Sequence, residues 1–266
     1  MLAWYGVLGL IFIALGEFLI FFPVEPITTY TFFSFLWLGF ILFVDSLVKL
    51  RTKHSRLTDN PKSFFLLFPI SAFLWWFYEV LNFFIDNWNY AGIGKPEWLM
   101  FSIAFSTVLP AILETSDLLS SFDFFKKIKT KIKLTDRKLL IIVMLGITCL
   151  ILPFVIPKYT FALVWVSMFL LLDPINYLTR QPSILGSMKK GSGTLLWTLM
   201  IGTLICGFFW EFWNFWAPAK WFYTVPFVGF FKIFEMPILG YLGYLPFGLS
   251  NYALYNFVIG IIKKKK

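Results

Sequence analysis

Charge is scarce in this chain. Asp, Glu, Lys and Arg make up 14% of its 266 residues, against about a quarter in an ordinary soluble domain. Most of its surface therefore cannot face water. Histidine is limited to His54 in a basic stretch, so zinc, haem and di-iron centres, which draw on several imidazoles, have no ligand set here. The two cysteines, Cys149 and Cys206, fall inside apolar runs and read as packing residues rather than a disulfide. Short alternating segments of the outer-membrane barrel kind are missing. The first apolar run lacks a positive leading region and a small-residue cleavage site, so it reads as a retained span. Nothing in these absences calls for a cofactor, and none is expected.

What is present is apolar length. Hydrophobic residues form 59% of the chain, and stretches of roughly 20 such residues fit bilayer-crossing helices. The expected spans are 2–22, 31–50, 64–85, 98–119, 139–156, 160–178, 194–216 and 226–246, an all-α polytopic membrane protein with about eight transmembrane helices. The cations are unevenly placed. Lys49 to Lys62, Lys126 to Lys138, Arg180 to Lys190 and the lysines at 263–266 hold nineteen of the 23, while the other connections keep Lys95, Lys158 and Lys220, and Lys232 falls inside the last expected span. The positive-inside rule then puts both termini in the cytoplasm, with a bacterial inner membrane as the expected location. The lysines border span ends, so their expected partners are anionic phospholipid headgroups and not nucleic acid. Phe124, Ile128 and Ile132 recur every four residues among lysines, suggesting an amphipathic surface linker at 121–138. The apolar tail 247–262 reads as interfacial or re-entrant, since a ninth crossing would carry four lysines outward.

The chain also repeats itself. Leu15-Gly16 and Pro23 match Leu145-Gly146 and Pro153; Trp37 and Asp45 match Trp165 and Asp173. Glu79 and Asn82 match Glu211 and Asn214, Trp88 and Tyr90 match Trp221 and Tyr223, and Pro110 is paired with Pro237. These collinear pairs predict two tandem four-helix repeats, 1–120 and 139–266, on either side of the linker. An even number of spans per copy gives both the same orientation, as in parallel-repeat transporters.

A carboxylate inside a bilayer is expensive, about 2.5–3.5 kcal/mol on insertion scales, and is a functional candidate for that reason. Glu79 and Glu211 are such groups, each with an Asn one turn on, at Asn82 and Asn214, placed to bind a ligand or to glue helices together. Glu235 stands beside Pro237 in what reads as a proline-broken span, the kind of helix that lines binding sites. Glu114 is a further candidate nearer the basic side. Asp45 and Asp173 read as structural, Asp45 being one turn from Lys49. Around the Glu/Asn helices gather Trp75, Trp76, Tyr78, Trp88, Tyr90, Trp210, Trp213, Trp216, Trp221 and Tyr223, an aromatic lining suited to a cation, a sugar or an apolar lipid.

The order Trp210-Glu211, then Trp221-Phe222-Tyr223, then Glu235-Met236-Pro237-Ile238 resembles the small bacterial and fungal lycopene cyclase domains. Glu79, Trp88-Asn89-Tyr90 and Leu109-Pro110 echo it in the first half. The resemblance implies a membrane-embedded, duplicated enzyme that closes rings at the ends of linear carotenoids without net redox change. The family carries paired acids directly after Pro-Leu, whereas Ile238-Leu239 and Ala111-Ile112 follow the prolines here. The proton donor would then be Glu235, Glu211 or Glu79, with Tyr78, Trp88, Tyr90, Trp210, Trp221, Tyr223, Asn82 and Asn214 around a lipid or other apolar small molecule. Two other readings use the same residues: a parallel-repeat proton-coupled transporter or channel, and a non-catalytic membrane scaffold.

Overall fold

The computed structural model describes residues 1–264, so the lysine tail expected at 263–266 lies outside the described residues beyond Lys264. Among them, eight helical segments are long and apolar enough to cross a membrane: Trp4–Phe21, Ile27–Thr52, Pro61–Ile85, Glu97–Ser120, Asp136–Val155, Pro157–Leu178, Thr194–Trp216 and Ile238–Lys263. At about 1.5 Å rise per residue, 18 to 26 residues reach roughly 27–39 Å, which matches a hydrocarbon core of about 30 Å. The fold is all-α, with two short β ribbons at one end.

The elements run α1 (Trp4–Phe21), α2 (Ile27–Thr52), a one-turn α3 (Arg56–Asp59), α4 (Pro61–Ile85) and strand β1 (Trp88–Ala91). The fourth span follows in two pieces, α5 (Glu97–Phe105) and α6 (Val108–Ser120), and then the short α7 (Asp123–Lys126). Beyond come α8 (Asp136–Val155), the one-turn α9 (Pro157–Thr160), α10 (Val164–Leu178), α11 (Ile184–Lys189), α12 (Thr194–Trp216) and strand β2 (Lys220–Tyr223). A hairpin of β3 (Lys232–Ile233) and β4 (Met236–Pro237), a 3-10 segment Ile238–Gly243 and α13 (Tyr244–Lys264) complete the chain.

Local chemistry explains the starts. The Asn60 side chain accepts the Ser63 amide (3.0 Å) with Pro61 at the first helical position of α4, and Thr135 caps α8 by accepting from Lys138. Without a hydrophobic drive between helices in lipid, close approach depends on small residues. A Cβ added to Gly9 of α1 would lie 2.6 Å from the Gly39 carbonyl of α2, and one on Gly146 of α8 would lie 2.5 Å from the Leu171 amide of α10. Outward faces stay apolar: Phe65, Phe73, Val80 and Phe84 of α4 are all exposed, as lipid contact requires.

The basic connections meet at one end of the bundle. Arg51 donates to the Ser121 hydroxyl (2.7 Å), Arg56 pairs with Asp117, Thr194 donates to the Phe125 carbonyl, and Lys129 bridges Ser192. At the opposite end β1 pairs with β2.

Three expectations are revised. The segment 226–246 is not a span: its first part is the β3–β4 hairpin, and the eighth span is Ile238–Lys263. The tail 247–262 is therefore the body of that last helix, neither interfacial nor a ninth crossing. Proline and glycine punctuation had marked a loop, and the lower hydropathy of the polar-dotted α13 had hidden a span. Second, only one turn of the basic linker is helical, at Asp123–Lys126; from there the chain runs extended past Lys129, because the backbone hydrogen bonds to Gly191 and Gly193 offer an alternative to helix. Third, Pro110 is the third residue of α6 whereas Pro237 ends β4, so the two prolines paired in sequence stand in different kinds of element.

Candidate functional site: an aromatic cavity with carboxyls behind its wall

β1 and β2 form an antiparallel ladder in which Trp88 faces Tyr223, Asn89 faces Phe222 and Tyr90 faces Trp221. Residues two apart on a strand share a face. The two Trp-x-Tyr motifs thus place Trp88, Tyr90, Trp221 and Tyr223 on one side of the ribbon. That side looks into a cavity of about 340 Å³, and all four rings line it.

Asn82 and Asn214 hold the ribbon in place. The Asn82 amide donates to the Trp88 carbonyl (2.8 Å) and accepts from the Asn87 (2.9 Å) and Trp88 (3.3 Å) backbone N–H groups. Asn214 does the same for the other strand, donating to the Trp221 carbonyl and accepting from its N–H, both at 2.8 Å. Their polar groups are consumed by backbone and neither lines the cavity. The expected substrate-binding role for Asn82 and Asn214 is corrected to a positioning one; each is a side-chain clamp that satisfies a strand lacking a neighbour on that edge.

The two matched glutamates stand one layer further out. Glu79 Oε1 accepts from Trp75 Nε1 (2.8 Å), Trp88 Nε1 (3.1 Å) and the Tyr90 hydroxyl (2.5 Å). Glu211, fully buried, accepts through Oε1 from the hydroxyls of Tyr223 (2.7 Å) and Tyr244 (2.6 Å), and Trp221 Nε1 donates to the Tyr223 oxygen (2.9 Å). Oε2 of Glu211 is buried with no partner. Neither carboxyl lines the cavity: each grips the polar edges of the rings that do. Burial pushes the Tyr90 and Tyr223 phenols well above the usual tyrosine range, so both remain proton donors.

Glu235 is not in a broken transmembrane helix. It lies between β3 and β4, where Lys220 (3.4 Å) and Lys232 (3.9 Å) pair with it, and Lys220 also lines the cavity. Tyr78 is fully buried behind the wall, stacked on Trp165 at 5.5 Å, with its hydroxyl unpartnered. Trp210 lines the cavity and packs on Trp37 and Tyr244.

No family model, curated protein or solved structure matches the chain. The site is therefore argued from its own residues. Sequence reasoning had not assigned Trp165, Tyr244 or Phe247 to it. Trp165 stacks on Trp88 (5.5 Å) and stands edge-on to Phe247 (5.4 Å). Trp165 was visible as the repeat partner of Trp37, and that pairing was the available signal; Tyr244 fell at the end of the misplaced span 226–246 and Phe247 at the start of the tail 247–262. Ile103 and Leu239 also line the cavity and are exposed on the outer surface, so its lining runs out to an apolar part of the bundle surface.

Proposed function

We propose that this chain takes the end of an apolar, isoprenoid-like lipid into the aromatic cavity and rearranges it without a redox cofactor, as a cyclase or isomerase. The observation that carries this reading is the cavity itself, walled by Trp and Tyr rings whose polar edges are bonded to two matched glutamates. About 340 Å³ lies near the small end of ligand sites, roughly 300–1,000 Å³, which suits an end group whose remaining chain stays in the bilayer. An aromatic lining disfavours the transport alternative, which needs a polar path.

The chemistry follows from the layering. In its protonated form Glu211 gives its proton to the phenol oxygen of Tyr223 or Tyr244, as that phenol turns its own O–H from Oε1 and passes the proton to an alkene carbon of the substrate. The resulting cation sits against the faces of Trp88, Trp165, Trp210 and Trp221. A second alkene closes on the cation, and a neighbouring C–H gives its proton to Tyr90, which relays one to Glu79. One C–H, one C–C and one new C=C π bond form, while two C=C π bonds and one C–H bond break, and no electrons enter or leave. The proton taken up at Glu79 returns to Glu211 before the next turnover. Glu235 belongs to the rim, with Lys220, rather than to the relay.

We further read the chain as two tandem repeats, 1–120 and 139–266, joined by the basic linker. The doubled Glu, Asn and Trp-x-Tyr geometry and the two-fold register of the ribbon support this. The gathering of basic loops at one end supports cytoplasmic termini and contact with anionic headgroups there.

Expression in lycopene-accumulating cells tests the reading, with ring-bearing pigment as the expected product. Glu211→Gln and Glu79→Gln should lower it by about 10²-fold or more. Unchanged pigment with the native chain removes that substrate, and near-normal conversion in both variants removes the site assignment.

A further inference from the structure

Toward the basic end lies a second group of ionisable side chains, which the cavity chemistry does not use. Asp45 of α2 and Glu114 of α6 are both fully buried. Asp45 accepts the Tyr5 hydroxyl through Oδ1 (2.8 Å) and the Leu57 amide through Oδ2 (3.0 Å), so the expected pairing with Lys49 is replaced. Glu114 has no donor on either carboxyl oxygen, and its helix α6 packs against α2, which carries Asp45. The nearest cation, Arg56 of α3, is held by Asp117 through both oxygens, at 2.6 and 3.1 Å. Arg56 is thus spent on Asp117 and bonds to neither Asp45 nor Glu114.

The other groups facing this cluster supply little positive charge. Tyr5 comes from α1 and Tyr255 from α13, and Lys49 lies over the Tyr5 ring at 5.9 Å. From α4 and α12, Ser71 and Thr198 meet α6, and neither is ionisable. Two fully buried carboxylates on packed helices, one of them without any donor, would repel, and a shared proton removes both the repulsion and the orphaned lone pairs.

We propose that Asp45 and Glu114 form a proton-binding site filled from the basic end of the bundle. A second cavity, of about 480 Å³, opens there and is lined by Val48, Arg56, Asp117, Ser120 and Tyr255. Val48 is three residues from Asp45 and Asp117 three from Glu114, so the cavity wall lies one helical turn from the pair. The proton is donated by Glu114 to Asp45 and completes the hydrogen bonding of both. The site occurs in one half only. Asp173, the counterpart of Asp45, has its two oxygens taken by the Ile184 and Leu185 amides, both at 2.8 Å. The seventh residue of α13, where α6 has Glu114, is Ser250.

Infrared spectra of the full chain in lipid nanodiscs at about neutral pH test this, through the carbonyl band of neutral carboxylic acids. Glu114→Gln should lose the intensity of one neutral carboxyl per chain. Asp45→Asn, whose amide N–H takes the proton's place, should lose the same intensity and serves if Glu114→Gln fails to fold. A variant spectrum that superimposes on the native one in this band overturns the proposal.

Discussion

Asn82 and Asn214 show how the same residue type reads differently in one dimension and in three. Along the chain each is a polar group one turn beyond a glutamate inside an apolar run, which suits ligand contact and helix glue equally. In the fold each is spent on strand backbone at the cavity's edge. Replacing either by Ala leaves buried backbone groups without partners, at about 1–3 kcal/mol each. Asn82→Ala and Asn214→Ala should therefore lower thermal stability in detergent, as followed by the unfolding midpoint. A substrate contact would behave differently, leaving the midpoint alone and weakening binding. Glu79 and Glu211 were legible from their cost in lipid, but their position behind the rings was not, because it depends on which way Trp88, Tyr90 and Tyr223 turn after the helix ends.

At the level of elements, the seven earlier spans follow from apolar length and flanking charge. The eighth was misplaced because 226–246 is richer in aromatic residues than α13, which carries Ser250, Asn251 and Asn256 on buried positions. Apolar length measures solubility in lipid, whereas a helix packed inside the bundle can hold polar side chains that bond to neighbours, as Ser250 does to the Trp165 carbonyl. The ribbon could not be read at all: β1 and β2 lie more than a hundred residues apart and have only four residues each. Its register is open to a direct check. Asn89 and Phe222 are opposite one another, and opposed strand residues lie about 5.5 Å apart at Cα, inside the disulfide range. The pair Asn89→Cys with Phe222→Cys should cross-link on mild oxidation, detected by intact mass; Asn89→Cys with Phe227→Cys should not.

Across the whole molecule, charge placement and packing agree on which loops share a side. Arg51, Arg56, Lys129 and Thr194 make contacts between loops that are basic in sequence, and the cation-poor loops meet through β1 and β2. Fluorescent reporters inserted after Lys62 and after Arg137 should therefore light in the cytoplasm, while one after Lys95 should stay dark; the reverse pattern would invert the orientation. The sequence by itself determined what the solvent decides: an apolar all-α chain, its span count, the sidedness of its cations and two matched glutamates, because transfer to lipid acts on each residue by its own chemistry. Only the tertiary structure decided what neighbours decide. It put the aromatic rings around a cavity and the glutamates behind them, Glu235 in a hairpin and the Glu114 carboxyl in the core without a donor. Those arrangements depend on contacts between residues far apart in the chain, and a hydrogen bond or a ring face has no meaning until its partner has arrived.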